Sequence, residues 1–147
     1  MRALTFYACL ALVCPGKALA DPLADAEALF ERFQALGQAY DPTVADLYCD
    51  SALIRNIRTY PTGQQRVMEF PGHSFKDMIR TVMPLAKARG DVSTYSEIQT
   101  EAEGANVRIS AIRFSVLKNY SSPVSILVGQ CPDGSLGVLE ELSESRP

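Results

Sequence analysis

Few side chains in this sequence could carry out chemistry. His73 is the only histidine; in Pro71-Gly72-His73-Ser74 it lies on a loop before a helix, where its imidazole would work as an acid or base near neutral pH or simply decorate the surface. Tyr95 and Glu97 are two apart in a strand-like run, so alternation would set a phenol and a carboxylate on one face. The plainer reading of Glu97, Glu101 and Glu103 is an edge strand kept soluble by charge. Ile54, Asn56 and Arg58 share a face by the same alternation. An amide and a guanidinium there would orient a carboxylate, since guanidinium binds carboxylate in bidentate fashion; the competing reading turns Arg58 outward or pairs it with Glu69. Metal chemistry has no motif here: there is no Cys-x-x-Cys or His-x-x-x-His spacing, and one histidine leaves the usual Ser-His-Asp base to His73 alone. No metal and no cofactor is expected.

The elements that must position these residues are legible in the hydrophobic spacing. Asp21-Pro22 opens a helix with Ala26, Leu29, Phe30, Phe33 and Leu36 on one side, ending near Gly37. Asp41-Pro42 opens a shorter helix with Val44, Leu47 and Tyr48 buried, so the two form a hairpin. Period two begins at Ser51, with Leu53, Ile54, Ile57 and Thr59; Tyr60-Pro61-Thr62-Gly63 turns the chain and Arg66 to Phe70 returns. Ser74 caps a third helix with Phe75, Met78, Ile79, Val82 and Leu85 inward, kinked at Pro84 and stopped by Gly90. Strands follow at Ser93 to Glu101, Val107 to Asn119, Val124 to Gln130 and Leu136 to Leu142, with turns at 104–106, 120–123 and 132–134. The tail after Glu141 frays. The order ααββαββββ describes one α+β domain with helices covering one face of a sheet.

Residues 1–20 read as a leader. Arg2 precedes an apolar run from Ala3 to Val13, and Ala18-Leu19-Ala20 stands before Asp21, the pattern of a cleaved secretory signal peptide. Pro15-Gly16 breaks the run and argues against a retained anchor. Lipidation at Cys14 is disfavoured by the bulky Val13 before it. Cleavage leaves 127 residues, 21–147, with 12 basic and 17 acidic side chains, a net charge of −5. That balance, with basic residues scattered singly, argues against nucleic acid or an anionic membrane as partner. Two cysteines remain, Cys49 and Cys131. In an exported domain they would form a disulfide; the alternative is two buried thiols behaving as small apolar residues. The chain is expected in the periplasm or outside the cell.

The element order, with the run Val44-Ala45-Asp46-Leu47-Tyr48-Cys49-Asp50-Ser51-Ala52-Leu53-Ile54, resembles the nuclear-transport-factor-2-like superfamily over about Leu23 to Leu142. The resemblance implies a cone-shaped α+β barrel: three helices on a strongly curved, mainly antiparallel sheet of about six strands, often dimeric through the outer sheet face. The superfamily holds isomerases, cyclases, dehydratases and epoxide hydrolases beside binding modules, so fold does not give function. In its isomerase-like members the general base is an Asp that falls at Asn56 here, and an amide cannot take up a proton. The catalytic Tyr of the first helix falls near Arg32 or Phe33, neither of which is a phenol.

The sequence therefore favours an exported domain that binds a small apolar or amphipathic ligand in a cone lined by Phe30, Phe33, Ile54, Asn56, Arg58, Tyr95 and Phe114. Alternatives are an isomerase, cyclase or dehydratase with a non-standard acid/base pair, or a protein-interaction module. A carboxylate or imidazole facing the cone with a perturbed pKa would favour the enzyme; an amide-lined, apolar cone would favour binding.

Overall fold

The computed structural model describes residues 21–147; the leader expected over 1–20 lies outside them. Helix α1 spans Pro22–Gln38. The Asp21 carboxylate accepts the Leu23 N–H at 3.1 Å, proline follows at the first turn, and Ala26, Leu29 and Phe30 are buried. This is the opening read from the sequence, satisfying an otherwise unpaired N–H. Asp41 repeats the device at Thr43, but Pro42–Leu47 winds as a six-residue 3-10 helix. The next residue, Tyr48, already belongs to strand β1, Tyr48–Thr59, which starts three residues ahead of the expected Ser51.

Strand β2, Gln65–Pro71, leads directly into α2, Gly72–Arg89. Ser74 is not its cap; Pro71 is, without any side-chain bond. The reason lies at Gly72, where a Cβ would stand 2.8 Å from the Ala52 nitrogen and 2.9 Å from the Asp50 carbonyl oxygen. The helix starts against the β1 backbone, and only glycine permits that approach. The inward stripe also differs: Phe75, Ile79 and Met83 are half-buried, whereas Met78, Val82 and Leu85 are exposed at 36%, 45% and 50%. Gly90, at φ +65, ends the helix as expected.

Strands β3 (Ser93–Glu103), β4 (Asn106–Ser115), β5 (Tyr120–Gln130) and β6 (Leu136–Ser145) form the expected antiparallel meander. Residues 120–123 are strand and not turn; Asn119, at φ +52, supplies the left-handed turn position instead. The segment after Glu141 is not frayed. The strand order is β2-β1-β6-β5-β4-β3, so β6 lies in the middle of the sheet, parallel to β1 and antiparallel to β5. The fold class is α+β, with three helices and six mainly antiparallel strands. The sheet stays open, with β2 and β3 as its edges. Helix α1 packs over β3 and β4 and α2 over β1 and β2, on the same inner face. Among the described residues no helix is long and apolar enough to cross a membrane.

Cys49 and Cys131 are disulfide-bonded, with Cα atoms 5.4 Å apart and a sequence separation of 82. The bridge is buried and ties the start of β1 to the end of β5. Such a long closed loop restricts the unfolded chain strongly. Reduction, or Cys131→Ala with Cys49→Ala, should lower the unfolding free energy by about 2–4 kcal/mol, read as an earlier urea midpoint. Coincident melts with and without reductant, and thiols that alkylate before reduction, would contradict the bridge.

Candidate functional site

Strand register determines what faces the helices. On β1, Ile54, Asn56 and Arg58 point inward; across β6 they stand opposite Glu141, Ser143 and Ser145. On β4, Ile109, Ala111 and Arg113 point inward, and Tyr95 of β3 stands opposite Arg113. Two bulges adjust this pattern. In β6, Leu127 pairs with Glu140 but Val128 with Val138, so Leu139 is an extra residue and the alternation slips by one. Without that slip Leu142 would face the helices; with it, Glu141 does. In β3 the register shifts between Ser96 and Gln99, with Glu97 at φ +52.

The result is a carboxylate set in an aromatic cage. Glu141 lies between Ile54 and Ile126, both 1% exposed, and the Tyr48 hydroxyl donates to its Oε2. Tyr48 touches Phe33 and Phe75 edge-on at centroid distances of 6.4 and 5.2 Å, and Tyr95 packs against Phe30 and Phe33 at 5.5 and 5.8 Å. Phe33, Phe75, Tyr48 and Tyr95, with Ile79, Val82 and Met83 of α2, line a partly open cavity of about 270 Å³ that Glu141 and Arg113 also line. The Tyr95 hydroxyl has no protein partner among the described residues. Arg113 donates through Nη2 alone, to Glu144 O at 2.8 Å and to Ser122 Oγ and the Tyr120 hydroxyl at 3.3 and 3.4 Å.

Electrostatics follow from that enclosure. Loss of water pushes the Glu141 carboxyl above its ordinary 4.5, against the opposing pull of the Tyr48 hydrogen bond and the Arg113 charge. Desolvation likewise pushes both phenols up, Tyr48 strongly, with the Glu141 charge adding to it. At neutral pH the tyrosines are hydrogen-bond donors.

The seven residues expected to line the cone are distributed unevenly. Phe33 and Tyr95 line the cavity. Phe30 and Ile54 are buried in the core beneath it. Asn56 faces inward but is engaged: its amide donates to Ser143 Oγ at 3.0 Å and its carbonyl oxygen accepts from Ser145 Oγ at 2.6 Å, joining β1 to β6. Arg58 faces inward beside Tyr60, 5.8 Å from the ring centroid, while Glu69 pairs with Arg55 instead. Phe114 lies on the outer face, because the inward residue of that strand is Arg113. The Tyr95 and Glu97 pair is separated by the β3 bulge, which sends Glu97 into an outer groove with Gln99, Ser110 and Ile112. His73 is exposed at the start of α2 and lies outside the cavity. Sequence reasoning missed Glu141, Tyr48 and Arg113 as a group. Among the described residues no cluster of His, Cys, Asp or Glu is arranged to hold a metal ion.

No protein-family model matches the chain, and no curated protein matches it by sequence. Solved structures do. A nuclear-transport-factor-2-like protein of unknown function from Pseudomonas putida superposes with a TM-score of 0.63 at 10% identity, over 84% of this chain and 85% of that one. This chain has the nuclear-transport-factor-2-like fold. A candidate dehydratase of that family from Streptomyces avermitilis gives 0.56 at 11% identity, over 83% and 94%. A nuclear-transport-factor-2-like protein with a cystatin-like fold from Novosphingobium aromaticivorans gives 0.54 at 11%, over 84% and 80%.

The raised pKa of Glu141 makes a signed prediction. Between 4.5 and the higher folded value, the native state keeps a proton that the unfolded chain has released. Stability contributed by this group is therefore present at low pH and lost as pH rises through that window. Glu141→Gln, neutral throughout and able to accept from Tyr48, should gain stability relative to the parent as pH rises from 4, then hold that gain. A parent-to-variant difference that is flat across the window would refute the assignment.

Proposed function

We propose that this protein binds one small amphipathic molecule in the cavity between the helices and the inner sheet face. Its apolar body lies against Phe33, Phe75, Ile79 and Met83, and its polar group meets Tyr95, Glu141 and Arg113. The observation that carries this reading is the unpartnered Tyr95 hydroxyl in the same aromatic-walled cavity as Glu141. A few polar groups placed within an apolar wall are what fixes a bound ligand's orientation. The leader expected over 1–20 and the buried Cys49–Cys131 bridge support action in an oxidising compartment, the periplasm or the exterior. Ile112, Phe114 and Leu142 on the outer sheet face are where a second copy would dock.

Native mass spectrometry of protein taken from that compartment should show a dimer carrying a small-molecule adduct. Ile79→Arg, which puts a long charged side chain into the cavity, should lose the adduct while the melt remains cooperative. An adduct retained equally by both proteins would place the ligand elsewhere.

A second reading is favoured by Glu141 itself. A carboxyl raised toward neutrality, beside neutral phenols and a guanidinium, suits proton transfer to or from a bound carbonyl or hydroxyl compound. It would make this an isomerase, cyclase or dehydratase that uses Glu141 where the related isomerases use the position of Asn56. Glu141→Gln should then abolish turnover of a ligand found in the adduct and leave its binding within about threefold. Turnover unchanged in that variant would leave binding as the function.

A further inference from the structure

Two buried side-chain polar atoms among the described residues have no hydrogen-bond partner, and both are arginine Nε atoms, of Arg58 and Arg113. Orphaned buried donors are uncommon enough to need an explanation. Both lie on the inner face toward the same end of the sheet: Arg58 opposite Ser145, Arg113 opposite Ser122, on strands that run side by side in the order β1-β6-β5-β4.

The charges around them are unbalanced. Arg58 forms no hydrogen bond or ion pair within the described residues; its contact is the Tyr60 ring. Directly across the β1–β2 ladder stands Arg66, also without an ion pair, so two like charges oppose each other on one face. Such pairs destabilise a sheet unless an anion lies between or beside them. Every other arginine on the β1–β6 surface that forms an ion pair, Arg55 and Arg108, does so with an outer-face glutamate. On Arg113, which lines the cavity, Nη2 makes all three protein bonds, leaving Nη1 without one and Nε buried and unpaired. Glu141 and Asp91 share that cavity, and neither makes an ion pair with Arg113.

We propose that the ligand is an amphipathic carboxylate, whose oxygens are received by Arg113 at the cavity wall, with Arg58, three strands away on the same inner face, adding a weaker long-range attraction. This rests on the reading that the cavity binds a small amphipathic molecule, and adds its charge. A singly charged head suits the site better than a dianion, because the Glu141 carboxyl faces the same space.

The chain contains no tryptophan, so naphthyl fluorescence reads binding against a dark background. Titrations with 2-naphthoate, 2-naphthylmethanol and 2-naphthyl phosphate separate the possibilities. The carboxylate should bind the parent about tenfold more tightly than the alcohol, a preference weakened by salt. Arg113→Gln should remove that preference and Arg113→Lys keep part of it. Since Arg113 also holds the Glu144 carbonyl, Arg58→Gln, which breaks no hydrogen bond, gives the second arm and should cost the carboxylate about threefold while sparing the alcohol. Acid and alcohol binding alike, with both variants silent, would overturn the anionic class and leave the cavity reading standing. Tighter binding of the phosphate would overturn the carboxylate assignment. No binding of any probe would overturn both readings.

Discussion

The Tyr48–Glu141 hydrogen bond is the interaction on which the inner face depends. It joins the first residue of β1 to the middle of β6, two segments 93 residues apart. Because it holds a carboxyl between two isoleucines, it must be kept: a phenol there without its acceptor, or a carboxyl without its donor, would be a desolvated polar group with no compensation. Everything around it serves that enclosure. Phe33 and Phe75 pack against the Tyr48 ring from two helices, Asn56 ties the neighbouring rungs of β1 and β6 through two serines, and the disulfide anchors Cys49 next to Tyr48.

How far the sequence made this legible differs by level. Element order, helix starts at Asp21 and Asp41, and the antiparallel meander follow from local chemistry, and local chemistry is what spacing and turn residues record. The site does not. Alternation along Leu136 to Leu142 places Glu140 and Leu142 on the face of Val138, and one extra residue at Leu139 reverses this for the rest of the strand. The same reversal in β3 separates Glu97 from Tyr95. A bulge leaves no composition signal when it uses Leu and Glu instead of glycine, so period-two reasoning carries through it unchecked. Tyr48 was read as a helix residue because the 3-10 turn ends one residue before it. Arg113 shares a face with Ile109 and Ala111, and which face of β4 meets the helices is set by long-range packing that alternation along one strand does not record.

The α2 stripe illustrates a different limit. Met78, Val82 and Leu85 have the spacing of a buried face, yet Gly72 sets the helix down on β1 at a rotation that favours Phe75, Ile79 and Met83. The helix phase is decided by a backbone contact at its first residue, which hydrophobic spacing further along cannot report. What that contact leaves is a row of apolar side chains beside the cavity, with Val82 at its margin.

The central place of β6 has a consequence for how the chain comes to be folded. The strand between β1 and β5 is the last ten-residue element of the sequence, Leu136–Ser145. Until those residues reach the sheet, β1 has no partner on one side and the carboxyl that Tyr48 needs is absent. The sheet therefore closes around β6 in a non-local step, one that brings together Tyr48 and Glu141 from 93 residues apart.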